Sequence, residues 1–327
     1  MTAAGSLDED FLALAHPYRR ELLAHCYRMM GSLHDAEDQL QETLIRAWRG
    51  YAGYQQQASL RTWLYKIATN TCLTALQSRA KRPLPSGLGA PDSDPTAELV
   101  ERHEVPWLGP LPGRLIDDDA SDPATIVTSR ESVRLAFIAA LQHLPPRQRS
   151  VLVLRDVLQW KASEVAEALD TSTTAVNSLL QRARTQLQLV NPDSDTLVEP
   201  DSAAERERLD RYVAAFENYD VDAIVALFTE DAVWEMPPFD GWYLGGEAIG
   251  RLVSTQCPAN GPGDMRLLPT TANGQPAFGL YMRGEDGVHR PFQFHVLEVT
   301  NRGVSHVVSF FDVELFDTCG LPENLSS

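Results

Sequence analysis

Residues 171–187 read TSTTAVNSLLQRARTQL. Leu180, Ala183 and Leu187 recur at helical spacing and form an inward stripe. Thr173, Thr174, Asn177, Ser178 and Gln181 fall on the N-terminal half and the outward face. Asn and Gln can hydrogen-bond adenine in bidentate fashion, and Thr and Ser can contact several bases. Arg182 and Arg184 suit phosphate anchoring. Just upstream, SEVAEAL and a short DTS turn complete helix-turn-helix spacing, with Ser163 and Ser172 as expected N-caps. The turn has no glycine, and a merely solvated amphipathic helix would show the same polarity.

The 327-residue chain carries formal net charge −17, the wrong sign for lying on nucleic acid. The charge is unevenly spread. Residues 1–82 hold 10 Lys+Arg against 8 Asp+Glu, and 130–190 hold 8 against 5. Residues 83–129 hold 2 against 9, and 191–327 hold 8 against 23. Two mildly basic segments thus alternate with acidic ones, as in a chain of modules with different partners. Hydrophobic content of 43% is ordinary for globular domains. Cys26, Cys72, Cys257 and Cys319 are scattered, which argues against a disulfide framework or zinc site. No metal or cofactor is expected. With no long apolar run and no signal-peptide pattern, the expectation is a cytoplasmic protein with no membrane contact.

Working outward, ESVRLAFIAALQHL and RQRSVLVLRDVLQ extend the helical pattern over 130–190. From Phe11 to Arg79 the pattern is also helical. DAEDQLQETLIRAW places Ala36, Leu40, Thr43, Leu44 and Ala47 on one face, and Asp35, Glu37, Asp38, Gln41 and Glu42 on the other. SLRTWLYKIATNTCLTALQSR is a second helix with Ser59 as N-cap; Trp63 sits on its apolar stripe. Between the helical blocks, 83–129 is rich in proline and holds the acidic IDDDASD, so it reads as a linker. Its VPWLGPLPGRLID piece is apolar enough to dock. After an acidic tether, 203–318 reads as helix, turn, helix, strand, short helix and four more strands. That order argues an α+β module with an antiparallel meander.

DAEDQLQETLIRAWRGY, SLRTWLYKIATNTCLTAL, LPPRQRSVLVLRDVLQWKASEVAEAL and STTAVNSLLQRAR, in this order and spacing, resemble the extracytoplasmic-function sigma factors of the sigma-70 family. The resemblance covers roughly residues 8–190. It implies two all-α sigma domains: region 2 at 8–82 and region 4, the helix-turn-helix, at 130–190, joined by linker 83–129. It implies core RNA polymerase as partner, through its largest-subunit clamp and its flap, and promoter DNA. Asp35, Glu37, Asp38, Gln41 and Glu42 would grip the clamp. Gln55 to Ser59 would cradle an extruded −10 base, with Arg61, Lys66 and Asn70 on the single-strand backbone and Trp63 and Tyr65 as stacking candidates. Thr173, Thr174, Asn177, Ser178, Gln181, Arg182 and Arg184 would contact the −35 element. Many relatives are basic where Asn177 and Leu179 stand, which implies a shallower salt dependence here. The acidic linker would thread the polymerase cleft as an RNA mimic or serve as a spacer.

YVAAFENYDVDAIVALFTEDAVWEMPPF, then GGEAIGRLV and four strands, resemble the SnoaL-like cone-shaped barrel over 203–318. That resemblance implies a small-molecule pocket, with Trp234, Met236, Trp242, Tyr243, Tyr281, Phe294, His295, His306 and Phe310 as candidate lining. Two readings follow. In the first the chain is a non-enzymatic promoter-specificity factor, regulated in cis by its C-terminal domain. In the second that domain is a small cyclase, isomerase or ligand sensor, with the helical half as its regulator.

Overall fold

The computed structural model describes residues 11–55, 58–115, 131–190 and 202–326. Gln56 and Gln57 of the expected base-cradling loop lie outside the described residues, as do residues 8–10, the acidic run 116–129 and the tether 191–201. Of the described residues, those up to Arg82, Leu108–Leu111, Leu115 and 131–190 form one compact unit. Pro83–Trp107, Pro112–Arg114 and 202–326 form another.

The first unit is all helical. Helices α1 (Arg19–Met30), α2 (Leu33–Tyr51) and α3 (Leu60–Ala75) pack together. Helix α1 is central, with every residue from Leu22 to Met30 buried. Ser32 caps α2 by accepting from the Asp35 N–H, and Ser59 caps α3 by accepting from the Thr62 N–H. Gly31 ends α1 at φ 73°, the left-handed region that favours glycine. A Cβ there would also lie 2.9 Å from the Gln142 amide nitrogen.

Helix α4 (Leu135–Gln142) precedes α5 (Pro146–Leu152), which runs on into a π turn over Val153–Val157. Helices α6 (Ala162–Ala168) and α7 (Thr173–Val190) then form the helix-turn-helix. In place of a turn glycine, Asp170 takes φ 49°, a conformation aspartate tolerates through its short polar side chain. Ser172 caps α7 by accepting from the Ala175 N–H. Ser163 does not cap α6: Lys161 precedes that helix, and its N–H donates to Glu164 Oε2 at 2.7 Å. The apolar piece of the expected linker does dock. Leu108 and Leu111 are fully buried, and the Tyr27 hydroxyl donates to the Gly109 carbonyl at 2.8 Å.

The second unit is α+β. Helices α8 (Ala203–Glu217) and α9 (Val221–Leu227) lead into strands β1 (Phe228–Glu235) and β2 (Trp242–Leu244), then α10 (Gly246–Gln256). Strands β3 (Met265–Ala272), β4 (Gln275–Arg283), β5 (His289–Val299) and β6 (Val304–Phe310) follow, and α11 (Glu314–Thr318) comes last. The sheet order is β2-β1-β6-β5-β4-β3. The expected antiparallel meander holds for β3 to β6, with a turn at Asn273-Gly274 where both residues take positive φ. The sheet is nevertheless mixed, because β1 pairs with β6 in parallel.

Pro83–Trp107 belongs to this unit and is not a free linker. The Ser93 N–H donates to the Trp242 carbonyl, the Trp242 indole N–H to the Ala90 carbonyl, and the Arg102 N–H to the Pro238 carbonyl. Prolines cannot donate in a ladder. The segment is therefore held by scattered bonds to its carbonyls and few N–H groups, a pattern that composition alone makes look like a tether.

Candidate nucleic-acid interface

Val176, Leu180 and Ala183 are buried under α7, while Thr173, Thr174, Asn177, Ser178, Gln181, Arg182 and Arg184 are all exposed on it. The 3.6-residue repeat thus sorts apolar inward and polar outward. Arg184 is held by Asp156 at 2.7 and 2.9 Å, which raises the affinity of its guanidinium for its proton. Ser178 Oγ donates to the Thr174 carbonyl within the helix.

A groove of about 620 Å³ runs beside α3. Tyr54, Gln55, Ser59, Thr62, Trp63 and Lys66 line it from the first helical block. Trp63 stacks on Tyr54 at 4.9 Å and is half-buried, so it is neither core nor free. Tyr65 is buried in the core: its hydroxyl bonds Glu21 at 3.1 Å and its ring packs against Arg61. It is therefore not placed for stacking on a base. Arg61 itself forms an ion pair with Glu21 at 2.6 Å. Asn70 is exposed and donates to the Lys66 carbonyl. Sequence reading missed the far wall of the groove, Trp160, Glu164, Glu167 and Ala168, because those residues come about a hundred positions later in the chain.

On α2, Glu37, Asp38 and Gln41 are exposed, and Glu42 pairs with Arg46. Asp35 departs from the expected contact face. It is 4% exposed, and Arg79 and Arg82 hold its carboxyl below the usual range against the opposing effect of burial. It ties the end of the block to α2. Ile45 and Trp48, 42% and 47% exposed, were missed. Their positions fall off the buried face of Ala36, Leu40, Thr43 and Ala47, and this was the available signal.

In the second unit a cavity of about 310 Å³ is bounded by Phe216, Trp234, Met236, Leu252, Met265, Leu280, Phe292 and Phe311, among others. Only Trp234 and Met236 of the expected lining take part. Tyr281, Phe294 and Phe310 are buried elsewhere: Tyr281 and Phe294 stand edge-on to Phe316 of α11. Trp242 is tied to Ala90, and Tyr243 is buried in the core. His295 is fully buried between the Tyr212 hydroxyl at 2.9 Å and Gln293 Oε1 at 3.1 Å, and burial pushes it down to about 3. His306 instead bonds Glu235 at 2.8 Å, while the second Glu235 oxygen accepts the Ser86 N–H at 2.8 Å. Burial lowers the proton affinity of His306, but the Glu235 bond and charge, with Glu298 behind them, more than offset it and leave the imidazole raised.

This pair carries a pH dependence whose sign is fixed. A raised folded value stabilises fully below the ordinary histidine range near 6.5 and less as pH climbs through the folded value. Unfolding midpoints of the second unit should therefore fall between neutral and alkaline pH, and His306→Gln should flatten that part of the profile. An unchanged profile in the variant would remove the pair from the account.

Three family models match the chain: Sigma-70 region 2 over residues 14–82, Sigma-70 region 4 over 134–187 and SnoaL-like domain over 209–314. ECF RNA polymerase sigma factor SigG of Mycobacterium tuberculosis is 64% identical over 317 residues, 97% of this chain and 85% of that protein. ECF RNA polymerase sigma factor SigJ of the same organism is 30% identical, over 75% of this chain and 72% of that protein. The crystal structure of the Mycobacterium tuberculosis extracytoplasmic function sigma factor SigJ shares the fold, with TM-score 0.62 at 24% identity over 95% of this chain and 99% of that one. Two sigma regions in order, a SnoaL-like domain behind them and identity along nearly the whole length place this chain among the extracytoplasmic-function RNA polymerase sigma factors, which direct transcription initiation.

Proposed function

We propose that α7 reads the −35 element, that the groove beside α3 takes the −10 strand, and that the protein does this as a non-enzymatic subunit of cytoplasmic RNA polymerase. The observation that carries the reading is the α7 face, where Thr173, Thr174, Asn177, Ser178, Gln181 and Arg182 stand exposed over a fully apolar underside. Side chains of these types can meet base edges and phosphates together. Glu37, Asp38 and Gln41, with exposed Ile45 and Trp48 beside them, fit a basic coiled coil such as the clamp, and region 4 would meet the flap. A non-enzymatic C-terminal domain is supported by its cavity, whose walls contain no Asp, Glu, His, Lys or Arg. Among the described residues no helix is long and apolar enough to cross a membrane.

Run-off transcription with purified core polymerase tests the reading. Promoter-dependent transcripts are expected with the full chain and not with Asn177→Ala/Gln181→Ala; equal transcripts from both would sink the −35 assignment. The C-terminal domain regulates in cis. Truncation after Val190 should change promoter-dependent output, and no change would exclude that role.

The far wall of the groove supplies a second prediction. Glu167 is exposed and lies across from Lys66 in the lining, where nucleic acid would bring phosphates. Glu167→Lys should strengthen binding of a −10 single-stranded oligonucleotide to the free protein about fivefold, as expected for roughly 1 kcal/mol of solvent-screened charge reversal. Fluorescence anisotropy reads it, and the gain should fade at high salt.

A further inference from the structure

Helix α7 and the groove beside α3 belong to one compact unit, and the chain itself bounds their separation. Ala168 lines the groove, and Thr173 opens α7 five residues later. Five residues span at most about 18 Å. The reading residues from Thr173 to Gln181 add about 12 Å along the helix. Elements named for positions −35 and −10 lie about 25 base pairs apart, roughly 85 Å along the duplex. DNA that short stays nearly straight. Folded in this way, α7 and the groove cannot hold both elements of one promoter.

The seam that closes the unit is polar. Helix α1 packs on α4 and α5, and each helical block sends a buried arginine into the other. Arg28 Nη2 donates to Ser132 Oγ at 2.7 Å, and Arg28 Nε donates to the Ser132 carbonyl at 3.2 Å. Arg149 donates to the Met29 carbonyl in return. Burial pushes both guanidinium groups down to about 10, still charged at neutral pH. Arg149 Nε is buried with no hydrogen-bond partner among the described residues. Buried cations lose much of their hydration, and parting the blocks restores it. Such a seam resembles the polar interfaces of domains that separate. Trp160 completes it: it is 6% exposed, and its ring stands edge-on to Tyr65 of α3 at 6.1 Å. The loop that presents Trp160 is strained. It follows the π turn, and Gln159 takes φ 56°, in the left-handed region. Strain of this kind persists only where the surroundings hold it, and it collects at switch regions.

We propose that Arg28 and Arg149 are a two-point latch that holds the helix-turn-helix block shut on the −10 groove in the free protein, with Trp160 as its wedge. Reading a whole promoter requires the latch to part. The inference rests on the assignment of α7 and the groove to the two elements.

The test compares three DNAs on the full chain without polymerase: a −35 duplex, a −10 single strand, and a forked molecule carrying both at natural spacing. Linking two sites raises affinity by about a hundredfold or more where geometry lets both be engaged, and not at all where it forbids this. Wild type should therefore bind the forked DNA no more tightly than the better single element. Arg28→Met keeps an unbranched apolar stem and loses both bonds to Ser132. It should leave −35 duplex binding unchanged and gain about tenfold or more on the forked DNA alone. Trp160→Ala should also gain on the forked DNA. In the wild-type chain, hydroxyl-radical labelling of Trp160 should rise when core polymerase is added, a measurement that stands even if a variant misfolds. A wild-type gain on forked DNA, no gain in Arg28→Met with −35 binding intact, or Trp160 labelling indifferent to polymerase would each overturn the latch. If Asn177→Ala/Gln181→Ala left −35 duplex binding unaltered, the element assignment would fall, while a rise in Trp160 labelling would leave the opening in place.

Discussion

Arg149→Leu should destabilise the helical unit by about 3 kcal/mol, the largest single-residue effect expected there. Arg149 is 2% exposed, and among the described residues its guanidinium meets carbonyl and amide oxygens. Its guanidinium donates to the carbonyls of Met29, Gln142 and Leu144 and to the Gln142 side-chain oxygen. Met29 lies in the last turn of α1, and Gln142 and Leu144 lie at the end of α4. Carbonyls at helix C-termini have no intrahelical donor and carry the negative end of the helix dipole. One cation therefore satisfies two helix ends and ties α5 to both. Burial pushes the group down to about 10, still charged at neutral pH. Leucine would fill the volume but strand the carbonyls. Lysine could reach one end but not both, so Arg149→Lys should lose roughly half as much. Urea unfolding followed by amide exchange in α1 and α4 reads this. A shift below about 1 kcal/mol for Leu would mean that water replaces the guanidinium at little cost.

This contact also shows what a sequence can and cannot reveal. The RQRS stretch advertises a helix, but nothing in it says that Arg149 faces inward while Arg147 does not. The same limit explains Asp35. Its neighbours along the sequence grouped it with Glu37, Asp38 and Gln41, and its real partners, Arg79 and Arg82, come more than forty residues later. Periodicity does report burial within one element, so Val176, Leu180 and Ala183 under α7 and Leu64, Ala68 and Cys72 in α3 could be read directly. The cavity was harder. Trp234 near the end of β1 and Met236 just after it both line the cavity while Glu235 between them does not, but the alternation of β4 and β5 is broken by an irregularity at Leu280/Tyr281. The SnoaL-like resemblance offered Tyr281 and Phe294 as lining, whereas both pack against Phe316. Leu99, part of the cavity wall, sits in a proline-rich stretch whose composition resembles a tether, because the bonds of Pro95 and Ala97 to α10 are made by side chains of Thr255 and Gln256 and not by a ladder.

Trp63→Ala should reduce promoter opening by about 5- to 150-fold, the range of one lost base–aromatic stack of ~1–3 kcal/mol. Trp63 is the end of a row of rings: Phe11 meets Tyr51 at 5.2 Å, Tyr51 meets Tyr54 at 6.3 Å, and Tyr54 meets Trp63 at 4.9 Å. The row fixes the indole without burying it, leaving a rigid platform in the wall of the groove with Ser59, Thr62 and Lys66 around it. Extruding a base from duplex DNA costs a few kcal/mol, and a platform held in advance can offset that without ordering itself at the same moment. Trp63→Phe keeps a ring on Tyr54 and should retain most of the activity. Permanganate reactivity of −10 thymines reads opening, and anisotropy with a −10 single strand reads the platform directly. Both should fall together in Trp63→Ala while duplex −35 binding through α7 stays constant. If opening fell but single-strand binding did not, Trp63 would be acting through the fold of the Tyr54–Ser59 loop. The base-holding role would then pass to the loop's polar groups.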